Sequence, residues 1–244
     1  MPMYTSPLTL TTIEELSGHA RDCVFWEVDP DPMVGAVTDP GFEKEAWVSM
    51  VMLEWGSCGR IVWDGDAAVG HAIYAPPVLV PRTSRFPTAP VSADAILLAQ
   101  LSTDESHGAS ATVSDQRTLF DAVVDDLVSR GARAIEAFGY RDGGGDITEF
   151  DPEELLRGVP RSGGADCSCP RCMIPAALLE ELGFEKVAPH HRFPRYRWEL
   201  GRDIGWKAGV ESALDGLVDA ARIDAPVSTT RSLLAVHEGH TVAG

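Results

Sequence analysis

From Ala93 to Tyr140 the sequence alternates between two periods, and the order of that alternation restricts the fold. Ala95-Ile-Leu-Leu-Ala-Gln-Leu-Ser102 is a nearly unbroken apolar run of strand length, as expected of a strand buried on both faces. Asp104 to Ser114 is small and polar. Leu119 to Val128 has apolar residues at helical spacing, Gly131 supplies a stop, and Ala132 to Phe138 returns to a buried strand. Strand, loop, helix and strand in this order predict an α/β domain. The loop running into the helix can present backbone N–H groups to a phosphate or pyrophosphate, so a nucleotide or coenzyme site is expected there.

The flanking segments add antiparallel elements. Thr11 to Ala20 predicts a short helix with Thr12 as cap and Glu15 three residues on, and Cys23-Val-Phe-Trp-Glu-Val28 predicts a strand. Lys44 to Trp55 predicts a helix whose apolar face is Trp47, Met50 and Val51, widened by Leu53 and Trp55 and closed by Gly56. Arg60 to Tyr74 reads as a hairpin about Asp64-Gly-Asp66. Pro76, Pro77, Pro81, Pro87 and Pro90 predict an extended surface connection. Arg141 to Pro170, with Gly143-Gly-Gly145 and Gly163-Gly164, reads as a mobile insertion. A helix from Ile174 to Leu182 closed by Gly183, strands at Phe184 to Val187 and Tyr196 to Leu200, and a last helix from Trp206 to Ala221 complete one domain over residues 1–222, leaving 223–244 as a flexible tail.

With 20 basic against 37 acidic residues, the net charge of −17 repels nucleic acid and anionic membranes; a cationic or amine-bearing partner fits better. No apolar run reaches the roughly 18 residues of a membrane span, and no basic stretch precedes an apolar one at the N-terminus, so a cytoplasmic protein is expected. Five scattered cysteines do not form a disulfide framework. Cys167, Cys169 and Cys172 offer three thiols to which His190 or His191 would add a fourth zinc ligand, and Cys169 with Cys172 could alternatively form a redox pair. Reduced thiols without a metal are the expectation.

Several separated phrases resemble the GNAT superfamily of acyl-CoA-dependent N-acyltransferases, and within it an actinobacterial-type branch. They are Cys23-Val-Phe-Trp-Glu27, Phe86-Pro-Thr-Ala-Pro-Val-Ser-Ala-Asp-Ala-Ile-Leu-Leu98, Arg130-Gly-Ala-Arg-Ala-Ile-Glu-Ala-Phe-Gly139, Cys172-Met-Ile-Pro-Ala176 and His190-His-Arg-Phe-Pro-Arg-Tyr-Arg197, spread over about Cys23 to Leu200. The resemblance implies a mixed, centrally splayed sheet flanked by helices on both faces. It also implies acetyl-CoA as co-substrate and transfer of an acetyl group to a small or peptidic amine, by direct attack in a ternary complex.

In that family the splayed strand binds the pantetheine arm through its backbone. Leu98, Ala99, Gln100, Leu101, Ser102 and Thr103 match it. The family's loop of Gln or Arg, two residues, Gly, one residue, then Gly or Ala matches Glu105-Ser-His-Gly108-Ala109-Ser110 by order, with an acidic residue at its head. Counted back from Arg117-Thr-Leu-Phe120, which resembles the first helical turn, it falls instead on Ala111-Thr-Val-Ser-Asp-Gln116, without glycine. Either register implies a degenerate pyrophosphate loop. The family's tyrosine acid falls on Leu179 and its helix-opening asparagine on Cys172, leaving Glu136 as a base acting through water and Tyr140 as a substitute acid. A structural carboxylate at Glu136 and a packed ring at Tyr140 are the other readings of those two positions. A GNAT-fold binding or regulatory protein without catalysis is the alternative function.

Overall fold

The computed structural model describes residues 3–16, 18–28, 37–103, 113–142 and 167–201, all within the unit Met1–Arg202. The glycine-rich stretch 143–166, the expected last helix and the 223–244 tail lie outside the described residues.

Local chemistry sets the first half of the sheet. Gly65, with φ +60°, turns the chain between β2 (Gly59–Asp64) and β3 (Ala67–Ala75). The Asp-Gly signal reads through directly, because a left-handed turn position favours glycine. β1 (Tyr4–Pro7) pairs antiparallel with β2 on one side, and β4 (Ala95–Thr103) pairs antiparallel with β3 on the other.

β5 (Ala134–Tyr140) then runs parallel to β4, and β8 (Arg195–Glu199) pairs antiparallel with β5 and with β7 (Glu185–Ala188). A two-residue strand, β6 (Ile174–Pro175), pairs with the end of β5. The sheet is mixed and open, with eight strands in the order β1-β2-β3-β4-β5-β8-β7 and β6 beside β5.

Helices cover both faces. Alternate strand residues Ile61, Ile73, Leu97 and Phe138 meet Trp47, Val48 and Val51 of α2 (Pro40–Glu54) in one core. Asp39 opens α2 by accepting a hydrogen bond from the Phe42 N–H, and Pro40 fits its first position. The other face carries α3 (Val113–Ser129), whose buried Leu119, Phe120, Val123 and Leu127 recur at helical spacing. Asp126 anchors it through Arg60 of β2 at 2.6 Å, the Tyr74 hydroxyl of β3 at 2.8 Å and Arg130 at 3.1 Å.

Several expectations need correction. The segment Cys23 to Val28 is buried as far as Glu27 but is no strand: the Cys23 N–H donates to the His19 carbonyl and the Val28 N–H to that of Val24. Side chains satisfy two of its carbonyls instead, Lys44 at Cys23 and Arg82 at Phe25. On α2 the buried face is Lys44, Trp47, Val48 and Val51, whereas Leu53 is 86% exposed. The proline-rich connection holds two short 3-10 turns, Pro77–Leu79 and Pro81–Arg85, and buries Val80 and Arg82. The expected Thr11–Ala20 helix divides into a 3-10 turn, Thr12–Glu15, and α1 (Gly18–Asp22). Ile174 and Pro175 belong to β6, so the helix there, α5 (Ala176–Glu181), is shorter than its sequence pattern; α4 (Cys169–Cys172) precedes β6.

Candidate functional site

β4 and β5 pair over only three residues, Ala95 with Ala134, Ile96 with Ile135 and Leu97 with Glu136. Beyond Leu97 the two strands part. On its other edge β4 stays paired with β3 through a shift of register: Tyr74 opposes Leu98 and Ile73 opposes Gln100, so Ala99 is the extra residue. Such a bulge bends a strand and re-aims the residues after it.

The parting opens onto a cavity of about 440 Å³. Gln100, Leu101, Ser102 and Thr103 of β4 line one side, Gln116 of α3 stands near that helix's start, and His19, Cys172, Met173 and Pro175 close the rest. This volume lies within the usual range for small-molecule sites, roughly 300–1,000 Å³. It combines polar backbone at a strand edge with a helix N-terminus, which suits a polar, anionic ligand.

His71 and Gln100 also border the cavity, with His71 Nε2 3.3 Å from Gln100 Oε1. Burial, aided by the positive charge of Lys44, pushes the His71 imidazole down to about 4. His71 is therefore neutral at pH 7. The bulge makes this pair: with Ala99 extra, Gln100 and Ser102 fall opposite Ile73 and His71. Sequence periodicity alone gave no hint of His71, because an isolated histidine in a strand has no distinguishing spacing.

Of the residues singled out from the sequence, Gln100, Leu101, Ser102 and Thr103 line the cavity, while Leu98 and Ala99 are buried in the strand leading to it. Arg117 is occupied at the turn after α5, where it donates to the Leu182 carbonyl at 3.1 Å. Gly108, Ala109 and Ser110 lie outside the described residues. Leu179 is fully buried.

Glu136 does not border the cavity. Its carboxylate is buried and accepts from Arg195, from Arg197 at 3.1 Å and from the Ser92 N–H at 3.2 Å. Burial alone would raise its pKa; the donors of Ser92, Arg195 and Arg197 outweigh burial and hold it below the ordinary carboxylate value. A carboxylate so engaged is a counter-ion for two arginines rather than a free base. Tyr140 packs its ring beside Phe193 and donates to Asp142 at 3.4 Å, away from the cavity lining.

The cysteine cluster is also composed differently from its expectation. His190 Nδ1 accepts from the backbone N–H groups of Arg192 and Phe193, and its ring stacks on His191. Cys167 and Cys172 instead meet Cys23 and His19, and two of these four, His19 and Cys172, border the cavity. Hydrogen bonds from Cys167 and then Cys172 hold the Cys23 thiol well below its ordinary pKa, against burial. The signal available in sequence was His19 four residues before Cys23, one helical turn apart.

Solved structures to which the chain is similar include N-acetyltransferases. One from Staphylococcus aureus Mu50 is 10% identical, with 82% of this chain and 99% of that one covered at a TM-score of 0.45. The PaiA N-acetyltransferase of Thermoplasma acidophilum, solved with coenzyme A, is 9% identical, with 82% and 99% covered and a TM-score of 0.45. A ribosomal-protein-alanine N-acetyltransferase from Brucella melitensis is 12% identical, with 80% and 99% covered and a TM-score of 0.45. No protein-family model matches the chain, and no curated protein matches its sequence.

Proposed function

We propose that the cavity along the parted edge of β4 receives the pantetheine and pyrophosphate of acetyl-CoA, and that the chain is an N-acetyltransferase-like protein acting on a small or peptidic amine. The observation behind this reading is the three-residue pairing of β4 with β5, which leaves the Gln100–Thr103 edge facing a cavity beside the start of α3. An extended pantetheine arm can hydrogen-bond to such an edge as an added strand does, and the helix N-terminus favours the pyrophosphate. The net charge of −17 favours a cationic acceptor. A cytoplasmic location and an actinobacterial-type origin belong to the same reading.

In direct transfer, the amine attacks the thioester carbonyl, the C–S bond breaks, and the coenzyme thiolate takes up a proton. His71, with a pKa lowered to about 4, is too weak a base to hold the proton the amine loses, which therefore passes to solvent. Glu136 and Tyr140 have no proton transfer in this scheme.

One observation favours a second reading, a coenzyme-binding module without transfer. Among the described residues that line the cavity there is no carboxylate and no tyrosine, and Leu179 is buried in the core. Calorimetric titration with acetyl-CoA tests both, beside Gln116→Glu, which brings a negative charge to the cavity. Micromolar binding weakened about tenfold in the variant supports the coenzyme site. No binding at millimolar coenzyme overturns it, and binding without acetyl transfer to any of a panel of amines selects the second reading.

A further inference from the structure

Four side chains from two distant stretches of chain converge beside the cavity. His19 and Cys23 lie one helical turn apart, with the Cys23 N–H donating to the His19 carbonyl at 2.8 Å. Cys167 lies just before α4 and Cys172 is its last residue, held by its N–H on the Ser168 carbonyl at 2.9 Å. Cys23 Sγ is 3.6 Å from Cys172 Sγ and 3.6 Å from Cys167 Sγ. His19 Nε2 is 3.8 Å from Cys172 Sγ, and the four ligand atoms all lie within 4.8 Å of one another.

These separations fit no disulfide, whose sulfurs are about 2.05 Å apart. They fit the edges of a metal tetrahedron: Zn–S bonds of about 2.3 Å at tetrahedral angles give S···S edges of about 3.8 Å. Three thiols crowded at van der Waals distance gain little from one another, whereas thiolates and an imidazole sharing one ion gain four coordinate bonds.

The surroundings are those of a fixed site. Cys23, Cys167 and Cys172 are buried, while His19 is half-buried and leaves the ion a way in from solvent. Cys23 is pinned by its carbonyl, which accepts from Lys44 Nζ at 2.7 Å, and Cys172 by its carbonyl, which accepts from Trp26 Nε1 at 2.9 Å. His19 Nδ1 is buried without a hydrogen-bond partner, so no hydrogen bond at that nitrogen orients the ring, and coordination at Nε2 would do so.

We infer that His19, Cys23, Cys167 and Cys172 form a structural zinc site. Four protein ligands close the coordination sphere, so the ion is a staple rather than a Lewis acid for substrate. It joins α1 to the chain entering β6, two segments 149 residues apart in sequence at Cys23 and Cys172. Binding replaces thiol protons, which pass to solvent, with S–Zn bonds. Because His19 and Cys172 also border the cavity, the staple would fix one of its walls. The inference stands whether or not the cavity takes a coenzyme.

Metal analysis of full-length protein purified without chelator tests it, together with titration of metal-free protein with Co²⁺. About one zinc per chain is expected, with the intense charge-transfer and tetrahedral d–d bands of a thiolate-bound cobalt ion. His19→Ala changes a half-buried side chain and should weaken or alter those bands, and His19→Cys should restore a tetrahedral spectrum. Cys58→Ser, at a buried thiol outside the cluster, should leave the stoichiometry unchanged. Folded wild-type protein that takes up neither zinc nor cobalt overturns the site, as would His19→Ala with an unaltered cobalt spectrum.

Discussion

Lys44 Nζ lies 2.5 Å from Glu27 Oε1, and neither side chain exposes any surface to solvent. The same ammonium donates to the Cys23 carbonyl at 2.7 Å, and the other Glu27 oxygen accepts from the Trp26 N–H at 3.1 Å. One buried ion pair therefore holds an irregular, strand-like sequence against α2 in a conformation that leaves Cys23 beside His19.

Lys44→Met should destabilise the fold by about 3–5 kcal/mol, because it leaves a buried carboxylate without its counter-ion. Burial already raises the pKa of Glu27 and Lys44 opposes that rise, so Glu27 would protonate more readily in the variant. The double variant Lys44→Met/Glu27→Gln should recover a substantial part of the loss in chemical denaturation. Equal destabilisation in both variants would count against the ion pair as the cause.

Glu136→Gln should cost about 3 kcal/mol of stability, since it leaves Arg195 and Arg197 without a shared carboxylate. Coenzyme affinity should be unchanged. Thermal unfolding and calorimetry on the same preparation separate the two effects; a large drop in binding or turnover with normal stability would return Glu136 to a chemical role.

His71 predicts the shape of the first acid transition. Its pKa is about 4 in the fold against 6.5 ordinarily, so the unfolded chain binds the extra proton as pH falls. Its stabilising contribution is complete above about pH 6.5 and is lost progressively down to about pH 4. His71→Gln should flatten that part of the stability–pH curve, measured by denaturation at fixed temperature. An unchanged slope would contradict burial as the cause of the shift.

Asp126 acts at lower pH. Burial would raise its pKa, but Tyr74, Arg130 and Arg60 together hold it below the ordinary 3.8. A depressed carboxylate stabilises above its unfolded pKa and loses that contribution as pH falls through the folded one. Asp126→Asn should therefore cost about 1–3 kcal/mol at pH 7, with the gap to wild type closing below about pH 4. A constant gap across that range would show that charge is not what matters.

Features set by neighbouring residues were legible in the sequence. Asp64-Gly65-Asp66 defined the hairpin, Gly183 at φ +92° ended a helix, and the buried run from Ala95 defined β4. The mixed, splayed sheet was also anticipated, through phrases resembling a family rather than through periodicity. What escaped depends on contacts distant in sequence. Cys23 to Val28 has strand composition, yet Lys44 and Arg82 satisfy carbonyls that a neighbouring strand would have paired. Glu136 could be read as a base or as a structural carboxylate, and the choice was open because its partners, Arg195 and Arg197, lie across a strand pairing absent from any local pattern. The extra residue Ala99 reverses the facing of everything after it, so His71 could not be matched to Gln100 from a strict two-residue alternation.

The brief union of β4 with β5 has a mechanical consequence. Three rungs of a parallel ladder join one half of the sheet, β1 to β4, to the other, β5 with β8 and β7. The rest of the sheet is a pair of stiff leaves sharing a short spine. Anything seated in the gap and bonded to both leaves lengthens that spine, so occupancy would be felt as rigidity well beyond the atoms it touches, and slowed amide exchange at Ala95, Ile96 and Leu97 would register it.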